Sequence, residues 1–153
     1  MKKDRTATET LIAENRKARF SYSIQETFEA GIVLKGTEVK SCREHKVNLS
    51  DGFCMFRGQE LFLQNVHINQ FTHGNRFNHE PLAVRKLLLK KKELVKLIPV
   101  IQKSMSIVPL KMYLKGSFVK VLLGVGKGKK SHDKREDMKK RDTDREIDRA
   151  MRR

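Results

Sequence analysis

The last 28 residues of this chain, 126–153, cannot build a hydrophobic core. Twelve of them are Lys or Arg and seven are Asp or Glu, and their apolar side chains are only Met138, Ile147, Ala150 and Met151. Burial of apolar surface is what offsets the loss of chain entropy on folding, so a segment of this composition does not fold alone. We therefore expect a compact body that ends near Gly124 and a basic tail over residues 125–153.

The tail nevertheless carries the signals of a helix. Asp133 and Glu136 have the spacing of an N-cap residue and an acidic residue at position N3. Three pairs of opposite charge stand four residues apart, which stabilises helices: Glu136/Lys140, Asp137/Arg141 and Asp148/Arg152. One stripe of such a helix would be basic, comprising Lys134, Arg141, Arg145, Arg149 and Arg152. The sequence thus predicts a latent helix with one side suited to phosphate groups.

The charge of the whole chain indicates the kind of partner. Its 153 residues include 34 Lys or Arg against 18 Asp or Glu, a formal net charge of +16, and so large a surplus attracts polyanions. An anionic membrane is the weaker candidate, because no run approaches 18 apolar residues and no basic amphipathic helix with Trp or Phe is visible. We therefore expect a nucleic acid partner and no membrane partner.

The N-terminal segment and the cysteines indicate a cytosolic protein. Met1 to Arg5 lead into polar sequence rather than into the apolar stretch of a secretory signal. Residues 1–14 are expected to be loose, with at most a helical turn or two from Thr8 to Glu14. Cys42 and Cys54 are isolated and form no Cys-x-x-Cys motif, so neither a disulfide framework nor a zinc ribbon is expected.

The first half of the body reads mainly as strands. Apolar residues recur with a period of two from Phe20 to Leu34, which is typical of strands with one buried face. A break follows, and Thr37 is expected to cap a short helix over residues 38–43. Two further strand-like runs, 52–56 and 61–68, flank a four-residue connection that contains glycine, the pattern of a hairpin.

The second half adds a loop, a helix and another hairpin. Residues 69–81 are polar and predict a surface loop. A helical period over 91–104 is interrupted by Pro99, so this helix is expected to be kinked or to start late. Residues 108–114 and 119–123 alternate cleanly around a Lys-Gly turn. About six antiparallel strands with two or three flanking helices predict a mainly β fold, an OB-fold-like barrel.

No motif predicts catalysis. His73 and His79 share the polar loop with Asn78 and Glu80, but their spacing matches no metal-ligand signature. The glycine-rich segment 124–130 lacks the closing Ser or Thr of a phosphate-binding loop. We expect no enzyme, no metal and no cofactor, and a metal-dependent nuclease at the two histidines stays the minor alternative.

The kind of nucleic acid follows from the aromatic content. Single-strand binding needs exposed aromatic platforms, whereas this chain has no Trp, two Tyr and eight Phe, most of the Phe on strand periods that suit a core. Structured RNA, recognised through shape and backbone, fits better. The basic residues that could line such a surface are Arg16, Lys17, Arg19, Lys35, Lys40, Arg43, Lys46, Arg85, Lys86 and Lys120.

Five segments, taken in order, carry a specific resemblance. They are Asn15-Arg-Lys-Ala-Arg, Phe28-Glu-Ala-Gly-Ile-Val-Leu-Lys-Gly-Thr-Glu-Val-Lys-Ser41, Gly74-Asn-Arg-Phe-Asn-His-Glu-Pro81, Arg85-Lys-Leu-Leu-Leu89 and Gly126-Lys-Gly-Lys-Lys-Ser-His-Asp-Lys-Arg135. Together they resemble the SsrA-binding protein family, also called small protein B, from about residue 15 to the end of the chain.

The resemblance implies a fold and a function. The fold would be an OB-fold barrel with flanking helices and a tail that is disordered in isolation. The function would be binding of transfer-messenger RNA (tmRNA) in trans-translation, the rescue of ribosomes stalled on messages without a stop codon. The body would replace the missing anticodon arm of this RNA, and the tail would enter the vacant message channel past the decoding centre as a helix. Partners would be tmRNA, small-subunit ribosomal RNA and, through the charged RNA, elongation factor Tu, with the protein a monomer.

The resemblance also implies site residues. Positions matching the family's RNA-binding residues are Asn15, Glu29, Leu88 and Lys120, with Arg16 and Lys17 as phosphate contacts. Arg19, Lys40, Arg43, Arg85 and Lys86 complete the expected body surface. The matching tail residues are Lys127, Lys129, Lys130, His132, Asp133, Lys134 and Arg135. Departures from the family are Glu44-His45 where Ala-Gly is frequent, Pro99 in place of glycine and Cys42 in place of leucine. The alternative function is a general ribosome-associated RNA-binding or RNA-chaperone protein.

Overall fold

The structure, a computed structural model, describes residues 8–74 and 78–152. Within these residues the chain forms nine strands and four helices. In chain order they are β1 (Glu9–Glu14), α1 (Arg16–Ser21), β2 (Tyr22–Ile32), α2 (Gly36–Arg43), β3 (Val47–Asn48), β4 (Phe53–Arg57), β5 (Glu60–Gln64), β6 (His67–Ile68), β7 (Arg85–Leu88), α3 (Lys91–Gln102), β8 (Ser106–Lys115), β9 (Phe118–Gly128) and α4 (Ser131–Met151).

Seven of the strands form one antiparallel sheet, in the order β1-β8-β9-β2-β7-β5-β4, and β3 pairs with β6 separately. The mainly β class predicted from the alternation is therefore confirmed. One face of the sheet is the core: Ala30, Val121 and Leu123 are completely buried there. Among the described residues, the two edge strands β1 and β4 are not hydrogen-bonded to each other.

Both predicted hairpins are present. β4 and β5 are joined through Gly58, and β8 and β9 through Gly116. Each glycine has a positive φ, 63° and 62° respectively, a conformation that costs a residue with a Cβ about 1–2 kcal/mol. The positive φ at each turn therefore explains why glycine occupies both positions.

The prediction of a loose N-terminal segment is wrong for residues 9–14, while residues 1–7 lie outside the described part. Glu9–Glu14 is strand β1, paired with β8 at the edge of the sheet, and Ile12 is buried in the core. Polar composition suggested looseness, but pairing with a distant strand decides the outcome, since edge strands can expose most of their side chains.

Two boundaries of the body also differ from the expectation. Phe20 belongs to the short helix α1, which was not predicted, so strand β2 begins only at Tyr22. At the other end β9 continues past Gly124 to Gly128, which pairs with Tyr22. The ordered sheet therefore extends four residues into the segment that was assigned to the tail.

The helix caps differ from those predicted. α2 begins after Lys35 rather than Thr37, and the backbone N–H of Lys35 donates to Glu38 Oε2 at 2.9 Å. α4 begins after Lys130, so Asp133 lies in its first turn instead of capping it. An acidic residue there still stabilises the positive end of the helix.

Two departures from the family lie in or near helices: Pro99 is in α3, and Glu44-His45 follows α2. α3 starts at Lys91 and continues three residues beyond Pro99, so the proline neither delays nor ends it. After α2 the chain turns through His45 with a φ of 61°, the left-handed conformation for which glycine is favoured.

Within residues 8–74 and 78–152, the helices lack the combination of length and apolar character needed to cross a membrane.

Candidate RNA interface

Three predicted RNA-binding residues, Glu29, Leu88 and Lys120, lie on one face of the large sheet. Gly31 of β2 is paired with Leu88 of β7 on one side and with Lys120 of β9 on the other. Glu29 precedes Gly31 by two residues, so its side chain points to the same face, while the intervening Ala30 points into the core. We call the surface formed by Glu29, Leu88 and Lys120 the outer face.

Gly31 brings the components of the outer face close together. A Cβ atom at Gly31 would lie 3.3 Å from the Cβ of Leu88, closer than side chains ordinarily approach. Leu88 is thus drawn towards β2 and yet remains 52% exposed. The outer face therefore presents an exposed apolar side chain next to a positive and a negative one.

Two residues of β8, Tyr113 and Lys115, hold the Glu29 side chain in place. Its Oε2 accepts a hydrogen bond from the Tyr113 hydroxyl at 2.5 Å, and Lys115 Nζ lies 3.3 Å from Oε1 and 3.4 Å from Oε2. The Tyr113 hydrogen bond, together with the positive charges of Lys115 and Lys120, holds the pKa of Glu29 below its usual value, although partial burial opposes this. The carboxylate is therefore ionised at neutral pH and can only accept hydrogen bonds.

Apolar and aromatic side chains extend the outer face beyond these residues. Phe118 precedes Lys120 by two residues on β9 and is 70% exposed, and Leu11 of β1 is paired with Tyr113 and is 49% exposed.

The prediction that most phenylalanines are core residues is wrong. Of those described, only Phe28 is buried, and Phe20, Phe53, Phe56, Phe62 and Phe71 are half-buried.

Asn15 lies in the interior and not on a binding surface. Its side-chain Nδ2 donates to the carbonyl oxygens of Leu49 and Pro109, both at 2.9 Å, and its Oδ1 caps α1 by accepting from the N–H of Ala18 at 3.0 Å. With 2% of its surface exposed, this side chain has no free group to offer to RNA. The expectation that it contacts RNA directly is therefore corrected: Asn15 fixes the position of α1.

The basic residues of α1 are accessible. Arg16, Lys17 and Arg19 are all exposed on this helix, and Lys17 forms an ion pair with Asp51 at 3.1 Å. Both partners of that pair are largely exposed, so water screens it and the pair can be exchanged for a phosphate contact at little cost.

Arg85 is the second predicted contact that the structure places in the interior. Its guanidinium pairs with Glu38 at 3.1 Å and donates to the carbonyl oxygens of Val66, Glu80 and Pro81. Because all of its nitrogens are engaged and 3% of its surface is exposed, Arg85 joins α2 to the loop before β7 instead of binding RNA. This expectation too is corrected.

The remaining predicted body residues lie at the surface. Lys86 follows Arg85 on β7 and pairs with Glu60 at 2.8 Å. Lys40 and Arg43 are exposed on α2, and the Lys40 ammonium lies 5.3 Å from the centre of the Phe71 ring, a cation–π contact. Lys40 and Arg43 form a basic surface on α2, a helix that contributes no residue to the outer face.

The tail residues are mostly exposed, and α4 has one ion pair with the segment just before it and two cation–π contacts with the body. Lys129 forms an ion pair with Asp137, which lowers the pKa of that carboxyl. Lys134 and Arg141 both lie over the ring of Phe20 in α1, at 6.0 and 5.8 Å from its centre. The first part of the predicted basic stripe therefore lies over Phe20, with Lys134 half-buried and Arg141 exposed. The other predicted tail residues that are exposed are Lys127, Lys130, His132, Asp133 and Arg135.

The histidine pair of the nuclease alternative is not arranged for metal binding. His79 is buried, its Nε2 donates to the carbonyl oxygen of Ile68 at 2.9 Å, and its Nδ1 lies 2.8 Å from Thr37 Oγ1. His73 instead packs edge-on against Phe71. Since both ring nitrogens of His79 have protein partners, neither is available to a metal ion. Elsewhere in the described residues, His132, Asp133 and Glu136 come close together, but on an exposed helix turn without a buried ligand.

Sequence reasoning missed Tyr113. The clean alternation of β8 indicated that its odd-numbered residues share a face, and Tyr113 is one of them. What the sequence lacked was the register between β8, β9 and β2, without which the contact between Tyr113 and Glu29, 84 residues apart, cannot be foreseen.

Comparison with known proteins finds relatives that match nearly the whole chain. Residues 12–153 match the family model described as SmpB protein. The chain is 57% identical over 143 residues to the SsrA-binding protein of Geobacillus sp., covering 93% of this chain and 92% of that protein. The corresponding protein of Exiguobacterium sp. is 55% identical over 152 residues, with 99% and 95% covered. That of Bacillus subtilis is 54% identical over 143 residues, with 93% and 92% covered.

A solved structure agrees with these relatives. The chain resembles one in the structure described as "tmRNA-SmpB: a journey to the center of the bacterial ribosome", with a TM-score of 0.66 and 49% sequence identity. The similarity covers 78% of this chain and 85% of that one. At this level of identity the two chains share their mainly β, antiparallel architecture with added helices.

Proposed function

Because the chain belongs to the SmpB family, the SsrA-binding proteins, we propose that it binds tmRNA and acts with it on stalled ribosomes in trans-translation. The observation that carries the proposal is that the family match includes both the sheet with its outer face and the tail helix α4. A relative that shared only the barrel strands would support RNA binding in general, whereas this match includes both parts that the function requires.

The outer face is the proposed contact with the tRNA-like part of the RNA. Lys120 would contact a phosphate, Leu88 would pack on a sugar or base, and Glu29 would accept hydrogen bonds from base amino or imino groups. Lys111 and Lys115 flank Tyr113 on the same strand face and would offset the repulsion between Glu29 and nearby phosphates. Affinity would come from the lysines, and discrimination between RNAs from the carboxylate.

Helices α1 and α2 and strand β7 supply the second proposed RNA contact of the body. Arg16, Lys17 and Arg19 lie on a short helix that Asn15 fixes to the sheet, so phosphate-binding side chains project from a rigid support. Lys40 and Arg43 on α2 and Lys86 on β7 would add further phosphate contacts. Asn15 and Arg85 then contribute to RNA binding only through the backbone that they hold in place.

We further propose that the sheet is a barrel of the OB-fold type. Strand β4, at one edge, packs against β8, which lies next to the other edge, as expected for a sheet that curves round towards closure. The close approach of Gly52 to Pro109 of β8 supports this curvature, since a Cβ at Gly52 would lie 2.8 Å from the Pro109 Cγ.

The tail is proposed to act on the ribosome. Beyond the contacts with Phe20, α4 carries exposed Arg145 and Arg149, and Arg152 is its exposed C-cap, all on the stripe that continues from Arg141. Such a helix suits a channel lined with ribosomal RNA, so we propose that α4 enters the message channel past the decoding centre as a helix. The body with tmRNA would together imitate a tRNA, delivered with elongation factor Tu through the charged RNA, so that the nascent chain is tagged and the ribosome released.

In this role the protein is an adaptor and not an enzyme. It would work in the cytosol as a monomer, without metal or cofactor. The hydrogen bonds of His79 support this view, since both of its ring nitrogens already have partners within the protein.

Competition binding tests the proposal. Labelled tmRNA is bound to the protein at physiological salt and displaced with unlabelled tmRNA or bulk tRNA. We expect tmRNA to compete far better, and equal competition would favour a general RNA-binding or RNA-chaperone protein. Lys120→Ala should weaken binding and lower the slope of log affinity against log salt by about one. Lys92→Ala on the exposed start of α3 is the matched control and should leave the slope unchanged.

A further inference from the structure

Tyr113 connects three strands of the outer face. It lies on β8 opposite Lys120 of β9, which in turn lies opposite Gly31 of β2. Its side chain therefore crosses β9 to reach Glu29, two residues from Gly31, where the hydroxyl donates to Oε2 at 2.5 Å. The ring is buried, with 8% of the residue exposed, so it cannot follow the carboxylate if that moves.

The hydrogen bond leaves part of the carboxylate available. Among the described residues, Oε1 of Glu29 has one hydrogen-bond partner, Lys115 Nζ at 3.3 Å, whereas Oε2 has both Lys115 and Tyr113. A carboxylate has about four positions at which it can accept hydrogen bonds, and this one has capacity left on Oε1. The Glu29 side chain is 37% exposed, so an incoming donor can reach it.

A carboxylate on an RNA-binding surface must meet two requirements. It must be ionised, because the protonated form has a donor of its own. It must also point in one direction, because a freely rotating side chain loses rotamer entropy on binding. Both are met at Glu29. The phenol hydroxyl fixes the end of the side chain, and Lys115 and Lys120 stabilise the negative charge.

We propose that Tyr113 is a positioning residue for RNA recognition: its hydroxyl holds Oε2 of Glu29 so that Oε1 accepts hydrogen bonds from an amino or imino group of an RNA base. This inference rests on the proposed role of the outer face. Tyr113 itself would not contact RNA. It would preorganise the Glu29 carboxylate, which does.

A double-mutant cycle on tmRNA affinity tests the inference. Tyr113→Phe removes only the hydroxyl, and Glu29→Gln removes the charge that the hydroxyl binds. We expect Tyr113→Phe to weaken binding roughly three- to tenfold, because the Glu29 side chain is then no longer fixed and must be ordered when RNA binds. In the Glu29→Gln background the same change should cost less than twofold, because the carboxylate that Tyr113 positions for RNA is no longer there.

Two measurements separate positioning from mere stability. NMR titration of the Glu29 carboxyl should give a higher pKa in Tyr113→Phe than in the unaltered protein, a change that a loss of stability alone does not cause. Thr37→Val is the matched control, since it removes a hydroxyl bonded to His79 away from the outer face. It should leave tmRNA affinity within twofold whatever it does to the melting temperature.

The outcomes distinguish this inference from the proposed function. If Glu29→Gln weakens binding and Tyr113→Phe does not, the inference about Tyr113 is wrong and the outer face stands. Additive losses in the cycle would likewise overturn it, because Tyr113 would then act independently of Glu29. If neither variant changes the affinity, the outer face is not the RNA interface, and both conclusions fall.

Discussion

The side-chain amide of Asn15 donates a hydrogen bond to the carbonyl oxygen of Pro109, 94 residues further along the chain, at 2.9 Å. The same nitrogen donates to Leu49, and the amide oxygen caps α1 through Ala18. A position at which the family resemblance implied an RNA contact is thus a junction between three segments of the body. In the proposed function, Asn15 would affect RNA binding only through the placement of α1 and the basic residues that α1 carries.

Asn15→Asp should destabilise the protein even though Asp caps helices as well as Asn does. The carboxylate retains the acceptor for Ala18 but loses the donor, so the carbonyl oxygens of Leu49 and Pro109 are left without partners at about 1–3 kcal/mol each. Urea denaturation should show the loss. Asn48→Asp is the matched control, because the Asn48 side chain only accepts, from Ser50 at 2.9 Å. Equal midpoints for Asn15→Asp and the unaltered protein would contradict this role.

Arg85→Met should be among the most destabilising single changes in the body. It leaves the Glu38 carboxylate buried and unpaired, which costs about 3–5 kcal/mol in comparable cases. The adjacent Lys86→Met removes an exposed pair with Glu60 and should cost at most about 1 kcal/mol. Chemical denaturation of the two variants measures the contrast. A small loss in Arg85→Met would mean that Glu38 becomes solvated or neutral at low cost.

The sequence allowed the long hairpins to be predicted because their signal is local. Residues 108–114 and 119–123 alternate in hydrophobicity, and β8 and β9 contain them. β1 was not predicted because its strand conformation depends on pairing with β8, about a hundred residues away. α1 was missed because its six residues are too few for a helical period, and because Asn15, its N-cap, was interpreted as a contact.

The site was predictable only in part for the same reason. Glu29, Leu88 and Lys120 could be named from the resemblance, yet their common face follows from the pairing of Gly31 with two strands. Arg85 could not be recognised as an interior residue, since a buried arginine looks like a surface one in sequence until its partner is known.

The stability contributed by Glu29 should depend on pH in a defined direction. Its folded-state pKa is lowered, chiefly by the Tyr113 hydroxyl, so the contribution is fully present above the unfolded pKa of about 4.3 and is lost as the pH falls through the lowered folded value. The difference in free energy of unfolding between Glu29→Gln and the unaltered protein should be constant from pH 7 to about 5 and shrink below that. Denaturation curves from pH 3 to 7 measure it. A difference that disappears between pH 7 and 5 would indicate a raised pKa.

His45→Gly should stabilise the protein by about 0.5–1 kcal/mol. His45 has a φ of 61°, which costs a residue with a side chain about 1–2 kcal/mol, and glycine recovers this minus its larger loss of chain entropy. The contact between His45 Nδ1 and the Ile12 carbonyl, at 3.3 Å, is long and contributes little. Thermal unfolding measures the gain. Glu44→Gly next to it, where φ is −86°, should destabilise instead, and a gain there as well would contradict the conformational explanation.

Deletion of residues 132–153 should separate RNA binding from activity on the ribosome. The outer face and α1 carry none of these residues, so tmRNA affinity should change by less than threefold, while tagging of nascent chains on truncated messages in a reconstituted system should be abolished. In α4 and its C-cap, Arg145→Ala/Arg149→Ala/Arg152→Ala should reduce tagging more than Lys139→Ala/Lys140→Ala. The first set continues the stripe of Arg141, whereas the second lies on the other side of the helix. Equal effects would mean that α4 is surrounded by RNA on all sides. A loss of tmRNA affinity that parallels the loss of tagging in the deletion would contradict the division of labour between body and tail.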